Sequence, residues 1–196
     1  AVNWLVNMRG GDLPCTPVNL CFAFFDCDQG LTLLGDADRL ASISDQNIAV
    51  MPLADLPHLL ALCAGDAVLV EAASLPQSLS FVLAASDVEM VAGACPVTPM
   101  KARKNQTEIS GFRQAHHHDG VAMVKFLHWL SGIEPASYTE SQIATTLEQF
   151  RSQQAEFLLP SFATIAATGP NGAIVHYRAV AGQDRTLCDG DILLLD

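Results

Sequence analysis

Apolar residues along this chain fall into short runs and spaced stripes, never into one long block. Trp4-Leu5-Val6 reads as a strand from the outset. Asn19 to Phe25 and Leu31 to Leu34 are apolar runs separated by Asp26-Cys27-Asp28-Gln29-Gly30, whose Asp and Gly suit a hairpin turn. After a looser stretch, Leu56, Leu59, Leu60 and Cys63 recur at helical spacing, and Gly65-Asp66 interrupts before the strand-like Ala67-Val68-Leu69-Val70. Leu75 to Ala84 suits another helix and Val88 to Val91 a short strand. This alternation predicts a small mixed α/β layer unit.

The texture changes at Cys95-Pro96-Val97-Thr98-Pro99, where two prolines disfavour helix at the residues before them and the basic cluster Lys101, Arg103, Lys104 follows. A domain boundary is expected there, giving units 1–97 and 98–196. Beyond it, Ile109, Phe112, Ala115, Met123, Phe126, Leu127 and Leu130 keep the period of an amphipathic helix running from Asn105 to Leu130. Thr139-Glu140-Ser141-Gln142 has the capping-box pattern, in which Thr and Gln side chains satisfy free backbone donors, and it opens a second helix with Ile143, Leu147 and Phe150 inward. Ala155 to Ala167 then reads as strand. Gly169-Pro170-Asn171-Gly172 breaks that run, and Leu193-Leu194-Leu195-Asp196 is an apolar strand ending on a carboxylate. There is no internal repeat or low-complexity tract.

Composition narrows the classes. The 196 residues are 50% hydrophobic and 16% charged, which is the make-up of a folded chain. With 10 Lys+Arg against 21 Asp+Glu the net charge is -11, so a phosphate backbone is repelled and nucleic acid is not an expected partner. No apolar run approaches the ~20 residues of a membrane-spanning helix, so no membrane is expected either. The opening AVNWLVNMRG has neither an initiator Met nor the pattern of a signal peptide, and the chain reads as a fragment that begins inside a structured segment. Six widely spaced cysteines without a CxxC favour free buried thiols in a reducing cytosol over a zinc or disulfide framework.

His116-His117-His118-Asp119 has the look of a metal tract, but consecutive helical residues point about 100° apart. Three adjacent histidines therefore do not converge on one ion, and a partly solvated helix face is expected instead. No P-loop, GxGxxG or GxSxG is present. Two residues remain. His176, after the Gly-Pro-Asn-Gly turn, is expected at a strand edge beside a cleft, where a structural role is the commoner one and a functional role stays open. Asp196 at the end of an apolar strand needs a compensating partner, a hydrogen-bonded turn by preference or a metal ion.

Several segments resemble a known family. Lys101-Ala102-Arg103-Lys104-Asn105, Glu108-Ile109-Ser110-Gly111-Phe112-Arg113-Gln114-Ala115-His116 and Asp119-Gly120-Val121-Ala122 resemble the entry helix of Xaa-Pro aminopeptidases. Phe150-Arg151-Ser152-Gln153-Gln154-Ala155-Glu156-Phe157, Ser161-Phe162-Ala163-Thr164-Ile165 and Gly169-Pro170-Asn171-Gly172-Ala173-Ile174-Val175-His176-Tyr177 are similar to aminopeptidase P of the three-domain kind, in peptidase family M24. Trp4 to Asp12 is similar to that family's middle domain, so the likeness runs nearly end to end. Ala163 stands where the family usually has Pro.

The resemblance implies a creatinase-N-like α/β domain over 1–97, lacking its first strand and helix, and the start of a pita-bread catalytic domain over 98–196. It implies two divalent metal ions, usually manganese, held by two Asp, one His and two Glu. Asp196 corresponds to the first metal-binding Asp, and His176 to the histidine that contacts the substrate near the scissile carbonyl and stabilises the oxyanion. The other ligands are not within these 196 residues, so the chain alone is expected to be inactive and to bind no metal. The substrate implied is a peptide with proline in second position, cut in the cytoplasm by an enzyme that is a homodimer at full length. Two other readings stay open: a pita-bread interaction module without catalysis, and another pita-bread hydrolase such as prolidase or creatinase.

Overall fold

The computed structural model describes residues 1–40 and 48–196, so part of the looser stretch before Leu56 lies outside the described residues. The chain divides into two compact units, Ala1–Lys104 and Asn105–Asp196.

In the first unit, strands β1 (Cys21–Asp26) and β2 (Gly30–Gly35) form the expected hairpin, with Phe24 opposite Thr32. Asp26 Oδ1 accepts from the backbone N–H groups of Asp28 and Gln29 at 2.8 and 2.7 Å, and Gly30 at φ 85° turns the chain back. These two donors hold the Asp26 carboxyl below the usual carboxylate range. Strand β3 (Ala49–Met51) runs parallel to β2, pairing Val50 with Leu33. Side chains alternate across a strand, so Leu33 and Leu34 point to opposite faces, and each is buried in its own cluster.

Helix α1 (Val2–Leu5) and helix α2 (Ala37–Leu40) contribute to the Leu33 side, where Val6, Met8 and Leu40 are buried. Helices α3 (Leu56–Leu62) and α4 (Gln77–Ala84) cover Leu34 with Leu56, Leu59, Leu60, Leu79 and Leu83. Strands β4 (Ala67–Val70) and β5 (Glu89–Ala92) pair in parallel, with α4 as the crossover between them. Helix α5 (Val97–Ala102), which spans the break expected at 97/98, lies in this unit and packs on α1.

The strand expected at Trp4-Leu5-Val6 is a helical turn instead: the N–H of Leu5 bonds to the carbonyl of Ala1, and that of Val6 to Val2. A short apolar run does not distinguish helix from strand, and here the helical turn brings Val2 and Val6 into one cluster with Leu33.

The second unit is built on helices α6 (Gln106–Leu130) and α7 (Glu140–Ser152). Asn105 Oδ1 accepts from Glu108 N at 2.9 Å and Glu108 Oε2 from Asn105 N at 2.8 Å, a reciprocal cap that starts α6. The capping box read at Thr139 and Gln142 starts α7, with Gln142 Oε1 accepting from Thr139 N. Phe126, Ile143 and Leu147 are fully buried between the helices, with Trp129, Tyr138 and Phe150 around them. Arg151 Nε donates to Asp119 Oδ1 at 2.7 Å, an ion pair across the same two helices.

Strands β6 (Ala166–Thr168) and β7 (Leu193–Leu195) pair antiparallel and add Ala166, Leu193 and Leu195 to this core. The long strand expected from Ala155 is absent over most of its length. Residues 155–165 are irregular, with Glu156 at φ 63°, and only Ala166–Thr168 meets a partner strand. Pro160 lacks the N–H a ladder needs.

The histidine run lies within α6 and faces largely to solvent, as expected; His116 turns its Nδ1 to its own helix carbonyl at Phe112, 2.8 Å away. All six cysteines are free, but the expectation of burial holds only for Cys63. Cys15, Cys21 and Cys95 are half-buried and Cys27 and Cys188 exposed, because their strands and turns lie near the surface.

Candidate active site

Asp196 stands just past the last ladder pair of β7. Its N–H donates to the Ile165 carbonyl at 2.9 Å and its carbonyl accepts from Ile165 N at 2.7 Å, so the backbone is satisfied and the carboxylate is left exposed. The side chain borders a cleft of about 510 Å³ walled by His116, Asp119, Met123, Arg151, Phe157 and Phe162. Apolar walls with a few convergent polar groups are the usual make-up of a ligand site.

His176 is not among the residues lining that cleft. Nor does it sit on a strand edge: it follows the 3₁₀ turn Gly169–Ala173, is exposed, and has φ 57°. The reason is local. The Ile174 N–H closes on the carbonyl of Asn171 and the Tyr177 N–H on that of Ile174, so consecutive turns replace the extended backbone that the apolar letters suggested.

A third residue, unrecognised in the sequence, organises this region. Glu140, at the first position of α7, has no exposed surface. Its carboxylate accepts from Thr168 N (2.6 Å), Tyr177 Oη (2.5 Å), Asn171 Nδ2 (3.0 and 3.1 Å) and Arg185 N (3.1 Å). Burial pushes its pKa up, but the donors from Tyr177, Thr168, Arg185 and Asn171 together outweigh that and hold it below the usual range. The same contact works the other way on Tyr177, whose phenol is raised to about 12 by its hydrogen bond to Glu140 and then by burial. The sequence did carry a signal for it. Glu140 lies three and seven residues before Ile143 and Leu147, in line with the buried stripe rather than on the wet face.

Arg185 packs its guanidinium against Gly169, and its Nε has no hydrogen-bond partner among the described residues. Thr168 Oγ1 donates to Asp191 Oδ2 at 2.9 Å and so ties β6 to the turn ahead of β7.

The donor set does not fit a complete divalent-metal site. Among the described residues no three His, Cys, Asp or Glu side chains cluster to hold an ion. Asp196 alone offers at most two oxygens, where such ions take about six ligands. No helix among the described residues is long and apolar enough to cross a membrane.

Residues 1–108 match the family model for the creatinase/prolidase N-terminal domain, and residues 110–196 that for metallopeptidase family M24. The whole chain aligns at 35% identity with a probable Xaa-Pro aminopeptidase P of Laccaria bicolor, covering 33% of that protein. With Xaa-Pro aminopeptidase 1 of Dictyostelium discoideum the identity is 30%, over 98% of this chain and 32% of the relative. The chain thus spans about a third of the length of these curated relatives. Among solved structures, the X-prolyl aminopeptidase of Caenorhabditis elegans, described as a cytosolic enzyme with a di-nuclear active site, superposes with a TM-score of 0.81 at 25% identity, over 100% of this chain and 34% of that one. The Xaa-Pro dipeptidase of Bacillus anthracis shares the fold, with a TM-score of 0.71 at 20% identity over 99% of this chain and 52% of that one.

Proposed function

Because this chain belongs to the creatinase/prolidase N-terminal domain family over residues 1–108 and continues into metallopeptidase family M24, we propose that it is part of a metal-dependent Xaa-Pro aminopeptidase. In this reading residues 1–97 form most of the middle domain and residues 98–196 open the catalytic domain. The substrate is a peptide with proline in second position, and the bond cut joins its first residue to that proline. The observation that carries the reading is that the entire chain aligns, at 35% identity, to a probable Xaa-Pro aminopeptidase P.

Asp196 is assigned as one ligand of a dinuclear centre that supplies Lewis-acid activation, with manganese as the metal. Its support is its place in the lining of the cleft, its carboxylate free of the sheet. His176 is assigned to the scissile carbonyl, where an imidazole N–H stabilises charge that develops on oxygen. The C. elegans enzyme is described as cytosolic, which supports a cytoplasmic site of action; the full-length protein acts as a homodimer.

One carboxylate does not hold two metals, so the 196-residue polypeptide is inactive by itself. Two measurements test this. Purified chain with manganese is incubated with an Xaa-Pro peptide, and no free N-terminal residue is expected. The reading frame after Asp196 is then sequenced: codons for a second Asp, a His and two Glu support the peptidase, and their absence overturns it.

A further inference from the structure

Seven residues, Asn171 to Tyr177, form a loop fastened at both ends to one carboxylate. At the near end the Asn171 side-chain amide donates to both Glu140 oxygens, at 3.0 and 3.1 Å. At the far end Tyr177 Oη donates to Glu140 Oε2 at 2.5 Å, and Asn171 Nδ2 also reaches the Tyr177 oxygen at 2.9 Å. His176 sits inside this loop with an exposed side chain and a left-handed backbone, φ 57°. A residue with a Cβ holds that conformation only where its surroundings impose it.

Nothing in the loop itself is buried, whereas Glu140 is anchored on α7 beside the fully buried Ile143 and Leu147. We infer that Glu140 is a positioning residue, a buried clamp that transmits the rigidity of the second unit's core to His176 through Tyr177 and Asn171. The inference gains its functional meaning from the proposed role of His176 and adds to it the group that aims the imidazole. A carboxylate suits the task because it accepts from both loop ends at once. A glutamine in its place has one acceptor oxygen and brings its own N–H₂ against the Tyr177 and Asn171 donors.

The test needs no turnover, so its failure leaves the peptidase reading standing and a failed assay leaves the clamp standing. Backbone ¹⁵N relaxation is measured on the 196-residue chain and on Tyr177→Phe, Glu140→Gln and Glu140→Ala. In the parent chain the His176 amide is expected to have an order parameter of about 0.85, and in Tyr177→Phe one below about 0.6, while the amides of Ile143 and Leu147 keep theirs. Loss of order at His176 should grow from Glu140→Gln to Glu140→Ala. A His176 amide already mobile in the parent, or equally rigid in Tyr177→Phe, overturns the clamp. A uniform loss across the unit in both Glu140 variants marks a general stabiliser and overturns it as well. Should those variants fail to fold, Tyr177→Phe, which leaves the carboxylate and its other donors in place, decides alone.

Discussion

The backbone N–H of Ser141 donates to Asp184 Oδ2 at 2.8 Å, so the free first turn of helix α7 is capped by a carboxylate 43 residues downstream. Burial alone raises that carboxyl, but the Ser141 hydroxyl and N–H, with Thr139 behind them, hold it well below the usual carboxylate range. A negative group at a helix N-terminus also complements the helix dipole. Asp184→Ala is therefore expected to destabilise the second unit by about 1 kcal/mol at neutral pH, as loss of a cap does. A lowered folded pKa means that this stabilisation is complete above an unfolded value of about 4 and fades as acid protonates the group. Urea midpoints of parent and variant should differ at pH 7, and the difference should shrink steadily as the pH falls below about 4.

Tyr177 gives the opposite dependence. Its phenol is raised from 10 to about 12 because the ionised form would face the Glu140 carboxylate. The folded state then holds the proton where the unfolded chain has released it, so stability is full below pH 10 and is lost as pH rises toward 12. Comparing denaturation midpoints at pH 9 and pH 11.5 isolates the effect: the drop should be larger in the parent than in Tyr177→Phe. Equal drops would remove the Tyr177 to Glu140 contact from the account.

Two glycines of one turn should respond differently to the same methyl. Gly169 has φ 54°, and a Cβ there would stand 3.1 Å from the Arg185 guanidinium. At Gly172 the nearest atoms to an added Cβ are 3.9 Å away, an ordinary contact. Gly169→Ala is expected to cost about 1–2 kcal/mol, from the left-handed backbone and the displaced Arg185. Gly172→Ala should cost about half a kcal/mol or less. Paired thermal melts check the contrast.

The elements that proved legible are those whose signals are local. The Asp26 to Gly30 turn, the Thr139 cap and the periodic stripe from Ile109 to Leu130 each determine their own backbone within a few residues, and each is found where the spacing puts it. Trp4 to Val6 and Ala155 to Thr164 carry the composition of strands, yet a strand forms only where a partner offers a ladder, and among the described residues neither stretch has one. Asp196 was readable as a carboxylate closing a strand. The place of Glu140 on the buried stripe was readable too, but its partners were not, because Thr168, Asn171, Tyr177 and Arg185 lie 28 to 45 residues away and have no common motif with it.

The second unit leaves much apolar surface uncovered. Val124 and Leu127 on α6 are 67% and 51% exposed, and Leu158 and Phe162 in the irregular stretch after α7 are 85% and 45% exposed. Leu159 and Phe162 also border the cleft at Asp196, so part of this surface is continuous with the candidate site. At about 25 cal/mol per Å² of apolar area removed from water, covering several such side chains at once favours association, and net charge is a weak brake once salt screens it. The 196-residue chain is therefore expected to self-associate at physiological salt, with a scattering mass that rises with concentration. The double variant Leu158→Ser with Phe162→Ser should lower that mass toward one chain, since it removes two large apolar groups from the same stretch. A parent chain that scatters as a monodisperse monomer at every concentration would show that this surface is tolerated by water and does not draw copies together.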